Sequence, residues 1–277
     1  MNWLKIDNAL KSFLEEDIGW EDITSSPLPD DLEARAFIKV KESGVVSGLF
    51  FAKRVFELLG INNIILKAKD GDFVNKSDTL MELKGSAKAL LMGERVSLNI
   101  IQSLSGISTE TRYIVDRIKD FGVRLLDTRK TTPGYRFFEK YAVRAGAGTN
   151  HRFALYDMVL IKDNHINVYG SISKAVKEIR KHLSMAYKVE VEVSSFEQLQ
   201  EALNCDIDIV LLDNFSVEDA KRAIEFVREY SSVKIELSGE INRSNIEEYA
   251  KIRPDFISSG AIIHSSKWLN ASMDILI

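Results

Sequence analysis

The stretch KVEVEVSSFEQLQEALNCDIDIVLLDNFS, residues 188–216, holds one strand–helix–strand unit. Lys188–Val193 alternates valine with glutamate, Ser195–Leu203 has helical spacing, and Ile207–Asp213 is a short apolar run. The same grammar extends in both directions. Strand-like runs recur at Val123–Asp127, Met158–Lys162, Lys234–Ser238 and Phe256–Ser259, with helical patterns at Ser173–Leu183, Val217–Tyr230 and Asn242–Lys251. Repeated alternation of this kind predicts parallel strands joined by right-handed crossovers. The strands are short and apolar, as strands buried on both faces should be. No glycine-rich dinucleotide loop follows any of them, which favours a barrel over an open sheet. A complete eight-fold barrel takes ~250 residues. Only about two-thirds of this chain follows the alternating pattern, so a small or incomplete barrel is expected.

Before Gly122 the pattern differs. Trp3, Leu4, Ile6, Leu10, Phe13 and Leu14 fall at helical spacing, and Gly19 with the loop Thr24–Asp31 ends that helix. Ala34, Ala36, Ile38 and Val40 alternate as a half-buried strand. Leu49–Leu59 reads as a helix stopped by Gly60, and Ile64–Ala68 and Thr79–Leu83 as strands around an Asp70-Gly71 turn. A long helical pattern runs from Ala87 to Ile118, with a break expected near Ser105-Gly106. At 277 residues the chain is one large domain or two ordinary ones.

Composition narrows the function classes. Hydrophobic residues make up 45% and charged residues 28%, an ordinary globular mixture. The 37 Lys+Arg against 41 Asp+Glu give a net charge of −4, a poor prior for a nucleic-acid or membrane-surface binder. One cysteine, Cys205, makes no internal disulfide and no Cys-rich zinc site. Met1–Glu16 mixes charges into its apolar residues and lacks the run of a signal peptide, and no later run is long enough for a bilayer. The expected location is the cytoplasm.

The strand ends carry the chemistry. They read Asp127-Thr128-Arg129-Lys130, Lys162-Asp163-Asn164-His165, Glu190 with Glu192, Asp213-Asn214, Ser238-Gly239 and Ser259-Gly260. Barrel enzymes build their sites at the C-terminal ends of the strands. Polar residues also close strands and cap helices, which accounts for Asn214, Ser216 and Ser259. It does not account for Arg129, Lys130 and Lys162 all following apolar strands. Between Arg129 and Lys162 seven Lys or Arg face only Glu139 and Asp157. Lys140 and Arg144 suit a solvated helix face, whereas Arg129, Lys130, Arg152 and Lys162 suit ligand contact, because Arg forks match carboxylates and phosphates. Tyr135, Phe137, Phe138 and Tyr141 interleave with the cations at helical spacing and read as core rather than as base-stacking groups. The expected ligand is an acidic small molecule.

Glu192 and Asp213 end neighbouring strands and could share one cation such as Mg²⁺, although ordinary strand-end acids would look the same. Small residues at Ser238-Gly239 and Ser259-Gly260, beside the following helices, suit a phosphate. His264 follows the last strand and could touch a phosphate or cap a helix, and His182 reads as surface. No histidine pair has zincin spacing and no nucleophile elbow is present.

Three stretches, Asp127-Thr-Arg-Lys-Thr-Thr-Pro-Gly134, Gly148-Thr-Asn-His-Arg152 and Leu160-Ile-Lys-Asp-Asn-His-Ile166, resemble the quinolinate phosphoribosyltransferase family. The similarity extends from Glu16–Thr24 and Glu94–Asn99 to Val189–Val193, Leu211–Phe215 and Ser259–His264. The resemblance implies an N-terminal α/β sandwich, residues 1–106, and an incomplete, seven-strand α/β barrel, residues 107–264, with a tail helix at about 265–277 returning to the first domain. It also implies a homodimer, or a multiple of one, with shared active sites in which Arg95 serves the partner. Arg129, His151, Arg152 and Lys162 would bind quinolinate, and Lys130 would meet phosphoribosyl diphosphate. Glu192 and Asp213 would face the ribose and Mg²⁺-diphosphate, and Ser238, Gly239, Gly260 and His264 the 5-phosphate. Lys130, Lys162, Glu192 and Asp213 form the implied catalytic set. Two positions depart from the family pattern: Glu240 stands where a third glycine is usual, and Ala145-Gly-Ala-Gly148 lacks the usual cysteine and has alanine at 147. The implied reaction gives nicotinate mononucleotide, diphosphate and CO₂. A nicotinate-specific phosphoribosyltransferase and a non-enzymatic anion-binding protein remain as rival readings.

Overall fold

The computed structural model describes residues 2–277. The strands are β1 (Glu33–Val40), β2 (Gly44–Val45), β3 (Asn63–Leu66), β4 (Phe73–Val74), β5 (Thr79–Ser86), β6 (Arg124–Leu126), β7 (Val159–Ile161), β8 (Val189–Val193), β9 (Ile209–Asp213), β10 (Lys234–Ser238), β11 (Phe256–Ser258) and β12 (Ala271–Leu276). The helices are α1 (Trp3–Ile18), α2 (Leu49–Leu58), α3 (Ala87–Ile118), α4 (Arg136–Ala145), α5 (Asp163–Tyr169), α6 (Ile172–His182), α7 (Phe196–Leu203), α8 (Val217–Tyr230), α9 (Ile246–Lys251) and α10 (Ala261–His264). The chain divides into two compact units. One takes the residues up to Arg112 with Phe137–Ala147 and Ser266–Ile277, and the other takes Tyr113–Arg136 and Gly148–Ser265. This division falls inside α3, between Arg112 and Tyr113, and most of α4 groups with the first unit. No helix among the described residues is long and apolar enough to cross a membrane.

The first unit is built on an antiparallel sheet of order β12-β1-β5-β3. The alternation along β1 buries Ala34, Ala36, Ile38 and Val40, which pack with Leu80, Met81, Leu83, Leu90 and Met273. The expected tail helix is a strand. Ala271 and Met273 alternate into the core while Lys39 and Asp274 pair outside, so period two wins over any helical arrangement. Nor is α3 broken at Ser105-Gly106. A Cβ on Gly106 would lie 2.2 Å from the Lys267 carbonyl oxygen, so the glycine marks where the returning chain crosses the helix. Lys140, expected on a solvated face, is 2% exposed, because α4 is covered on the face carrying Phe138, Ala142 and Val143 and beyond it. Phe51 meets Phe138 and Tyr141 edge-on at 4.9 Å; Phe138 is core as expected, while Tyr135, Phe137 and Tyr141 are half-buried. Asp70 is no simple hairpin turn residue: it accepts the Leu49 N–H at the start of α2 and the Tyr141 hydroxyl. Ala147 adopts φ +68, a left-handed conformation that costs an L-residue roughly 1–2 kcal/mol relative to glycine.

The second unit is a six-stranded parallel sheet of order β6-β11-β10-β9-β8-β7. A seventh element flanks β6 as a single parallel bridge between Leu126 and Thr149. Seven parallel segments therefore follow one another around the sheet, and among the described residues no ladder joins the Thr149 segment to β7. Serine caps set the helices that return across it: Ser171, Ser195 and Ser216 accept the N–H groups of Lys174, Gln198 and Asp219.

Gly106→Ala should force α3 from the crossing chain and destabilise the protein by about 1–3 kcal/mol, the usual range for overpacking. Chemical denaturation of wild type and variant measures this, and an unchanged midpoint would show that the contact yields freely.

Candidate active site

The C-terminal ends of the parallel strands surround a cavity of about 1110 Å³. Going around the strand order, its rim reads Lys162 after β7, Glu192 on β8, Asp213 on β9, Ser238-Gly239 at the end of β10, Gly260 after β11, Thr128–Lys130 after β6, and His151-Arg152 after the Thr149 bridge. All second-unit residues expected at the site line this one cavity. Arg95 lies elsewhere, exposed on α3 in the first unit.

The anchor of the rim is Asp127, fully buried at the end of β6. Its two oxygens accept the Asn150 amide at 2.6 Å and the His151 N–H at 2.8 Å. These bonds hold residues 149–151 against β6 and deliver Arg152 to the rim. Arg152 is 8% exposed, and its Nη1 donates to the Met158 carbonyl at 3.0 Å. Burial and the nearby Arg129 lower its pKa, which marks two guanidinium groups sharing one corner.

Beside them the Lys162 ammonium pairs with Glu192. The Lys162 backbone N–H bonds to His165 Nδ1, so His165 serves the start of α5 rather than the cavity. Asp213 accepts from the Asn214 side chain at 2.8 Å. Asn214 has φ +57, and its Oδ1 would lie 2.6 Å from a Cβ on Gly239, which itself has φ +130. Only glycine allows the β9 and β10 loops to approach this closely. Gly260 does the same on the far side, with Lys130 Cδ and His264 Nε2 at 3.0 and 3.2 Å from where its Cβ would stand. Ser265 Oγ lies 2.8 Å from His264 Nδ1 and orients the ring. Ser259 is spent in the fold, its hydroxyl donating to the Ile241 carbonyl. Glu240 is exposed at the lip, while its carbonyl accepts from Asn242 and Asn245. His182 is on the surface, as expected.

Sequence reasoning named Glu190 with Glu192 at a strand end but missed Glu236 and the floor the two glutamates form. Glu190 and Glu236 are 0% and 1% exposed, and His151 Nε2 lies 3.1 Å from one and 3.4 Å from the other. Each glutamate sits two residues before a rim residue, Glu192 or Ser238, so strand periodicity places it on the same face, one layer deeper. Burial opposes a proton on the His151 ring, but the two carboxylates favour one on Nε2, the nitrogen that faces them, and raise its pKa. Burial, then Glu236, raises Glu190 to about 7.

A cavity rimmed by cations on one arc and carboxylates on the next defines an enzyme for small, multiply anionic substrates. Comparison with known proteins makes this specific. The N- and C-terminal domain profiles of quinolinate phosphoribosyl transferase match residues 22–105 and 107–274. A probable nicotinate-nucleotide pyrophosphorylase (carboxylating) of Bacillus subtilis is 42% identical over 99% of this chain and 95% of its own length. That of Synechocystis is 41% identical over 99% and 94%. The nicotinate-nucleotide pyrophosphorylase structure from Francisella tularensis superposes with a TM-score of 0.92 at 40% identity, covering 98% of this chain and 96% of that one. The chain belongs to the quinolinate phosphoribosyltransferase family.

Proposed function

We propose that the cavity transfers the phosphoribosyl group of phosphoribosyl diphosphate to the pyridine nitrogen of quinolinate and releases CO₂, yielding nicotinate mononucleotide and diphosphate for NAD biosynthesis. The observation that carries this reading is the order of charges around the rim. Arg129, Arg152 and Lys162 offer cations for the two ring carboxylates. Glu192 and Asp213 follow as fixed anions, and Ser238, Gly239, Gly260, Lys130 and His264 then surround space for a phosphate.

Each arc has its chemistry. Guanidinium forks hold a carboxylate bidentately and fix the ring nitrogen in line with the anomeric carbon, and positioning of this kind supplies much of a rate. As diphosphate departs, positive charge grows on the ribose, and the Glu192 and Asp213 carboxylates stabilise it electrostatically. Lys162, paired with Glu192, keeps that carboxylate in place and screens it from the incoming anions. Once the ring nitrogen is alkylated the ring draws electrons, the adjacent C–CO₂⁻ bond breaks, and the electron pair remains on the ring carbon until it is protonated. Lys130 and His264 neutralise phosphate on the opposite arc.

Glu192 and Asp213 present hard oxygen donors on adjacent strands at the open rim, a set that fits Mg²⁺ shared with diphosphate oxygens. Bound there, the ion would supply charge neutralisation for the leaving group. Arg95, exposed on α3, is proposed to complete the site of a second copy in a dimer, and the enzyme is proposed to act in the cytoplasm.

Release of labelled CO₂ from quinolinate only when phosphoribosyl diphosphate is present, with a magnesium requirement, is the expected result. Protein that consumes nicotinate but not quinolinate would replace this reading with the non-decarboxylating one, and absence of any turnover would favour an anion-binding protein. Arg152→Ala should raise the KM for quinolinate about tenfold or more, since a hydrogen bond to a charged group contributes about 1.5–3 kcal/mol. The KM for phosphoribosyl diphosphate should barely change; equal losses for both substrates would contradict the assigned role.

A further inference from the structure

The floor of the cavity is costly to build. Two carboxylates with essentially no exposure, Glu190 and Glu236, share one imidazole and approach each other, and among the described residues no further donor reaches their four oxygens. Burying a carboxylate costs several kcal/mol, and apolar side chains of similar volume would be at least as stable. The floor therefore serves something other than stability.

The geometry shows what it acts on. The Nε2 side of His151 faces the two carboxylates, while Nδ1 accepts the backbone N–H of Arg152 at 2.7 Å. Both ring nitrogens are thus engaged inside the protein. The peptides on both sides of the His151 Cα are held, the His151 N–H by Asp127 and the Arg152 N–H by the His151 ring. The Arg152 side chain departs from this fixed point and is tied again at Met158. We infer that Glu190 and Glu236 are positioning residues of the acceptor site, which lock the His151 ring so that its Nδ1 fixes the backbone at Arg152 and aims the guanidinium at the acceptor carboxylate. This rests on the proposed role of Arg152 as an acceptor-carboxylate ligand. It gives His151 a role through Arg152 rather than through a ring nitrogen offered to the substrate.

Positioning and simple electrostatics predict opposite signs. Removing a negative charge beneath an anion site should, by charge alone, tighten the acceptor. If the floor aims Arg152, the same change should weaken it. Steady-state kinetics of the full-length enzyme carrying Glu190→Gln, Glu236→Gln or both should show the quinolinate KM rising, by roughly tenfold in the double variant, as expected for a misplaced binding group. The KM for phosphoribosyl diphosphate should stay unchanged. A quinolinate KM that falls or stays constant overturns the inference, and so does a parallel rise for both substrates. In a His151→Asn background the Glu236→Gln effect should vanish, because the two act in series; additive losses would overturn it. Should a glutamine variant fail to fold, Glu236→Asp keeps the charge and shortens its reach, with the same substrate-selective rise expected and no change counting against it. Arg152→Ala separates the two readings. If it leaves the acceptor KM unchanged, the proposed acceptor site fails; if it raises that KM while the floor variants do not, only the present inference fails.

Discussion

The buried carboxylate of Asp127 is the constraint on which the site depends. Residues 149–152 have only one bridge to the sheet, at Leu126, so strand pairing alone would hold them weakly. Asp127 accepts one side-chain and one backbone N–H from this segment, and its own N–H donates to the Thr149 carbonyl. Hydrogen bonds to an ionised acceptor are roughly twice as strong as neutral ones, and in the interior they offset the cost of burying the charge. The segment thereby gains the rigidity of a strand without a strand's length, and Arg152 at the rim inherits that rigidity.

Charge in this molecule is arranged by depth and by arc, which an average hides. The overall excess is acidic, yet Arg129, Lys130, Arg152 and Lys162 meet at one cavity. Acids lie among them: Glu192 paired with Lys162, Asp213 at the rim, and Glu190 and Glu236 in the floor. The result is a local field that favours small polyanions against a surface that repels long ones. This explains why the net charge of −4 is consistent with anionic substrates and still unfavourable to nucleic acid.

Much of this was legible in the sequence because it is periodic or positional. The β–α alternation located every strand of the parallel sheet to within a few residues, and strand ends pointed to the rim. What escaped was set by partners distant in the chain. Glu236 resembles an ordinary polar residue of an alternating strand until the sheet curves and brings it within reach of His151, 85 positions earlier in sequence. Lys140 gave a surface signal because burial of a lysine stem has no local signature. Gly106 reads as a helix breaker by propensity, whereas its actual role, making room for residue 267, exists only in three dimensions. The tail strand was missed for a related reason: six residues pair according to an edge offered by β1, more than 200 positions away.

That edge strand has a consequence for biosynthesis. β12 is made of residues 271–276, and Leu269, Ala271 and Met273 belong to the core formed by β1, β5 and α3. While residues 271–276 are still inside the ribosomal exit tunnel, the sheet begun at residue 33 has a bare flank. The parallel sheet, by contrast, is complete in sequence by residue 258. The sheet that starts first is therefore the last to be finished, and it waits with an open edge until β12 emerges.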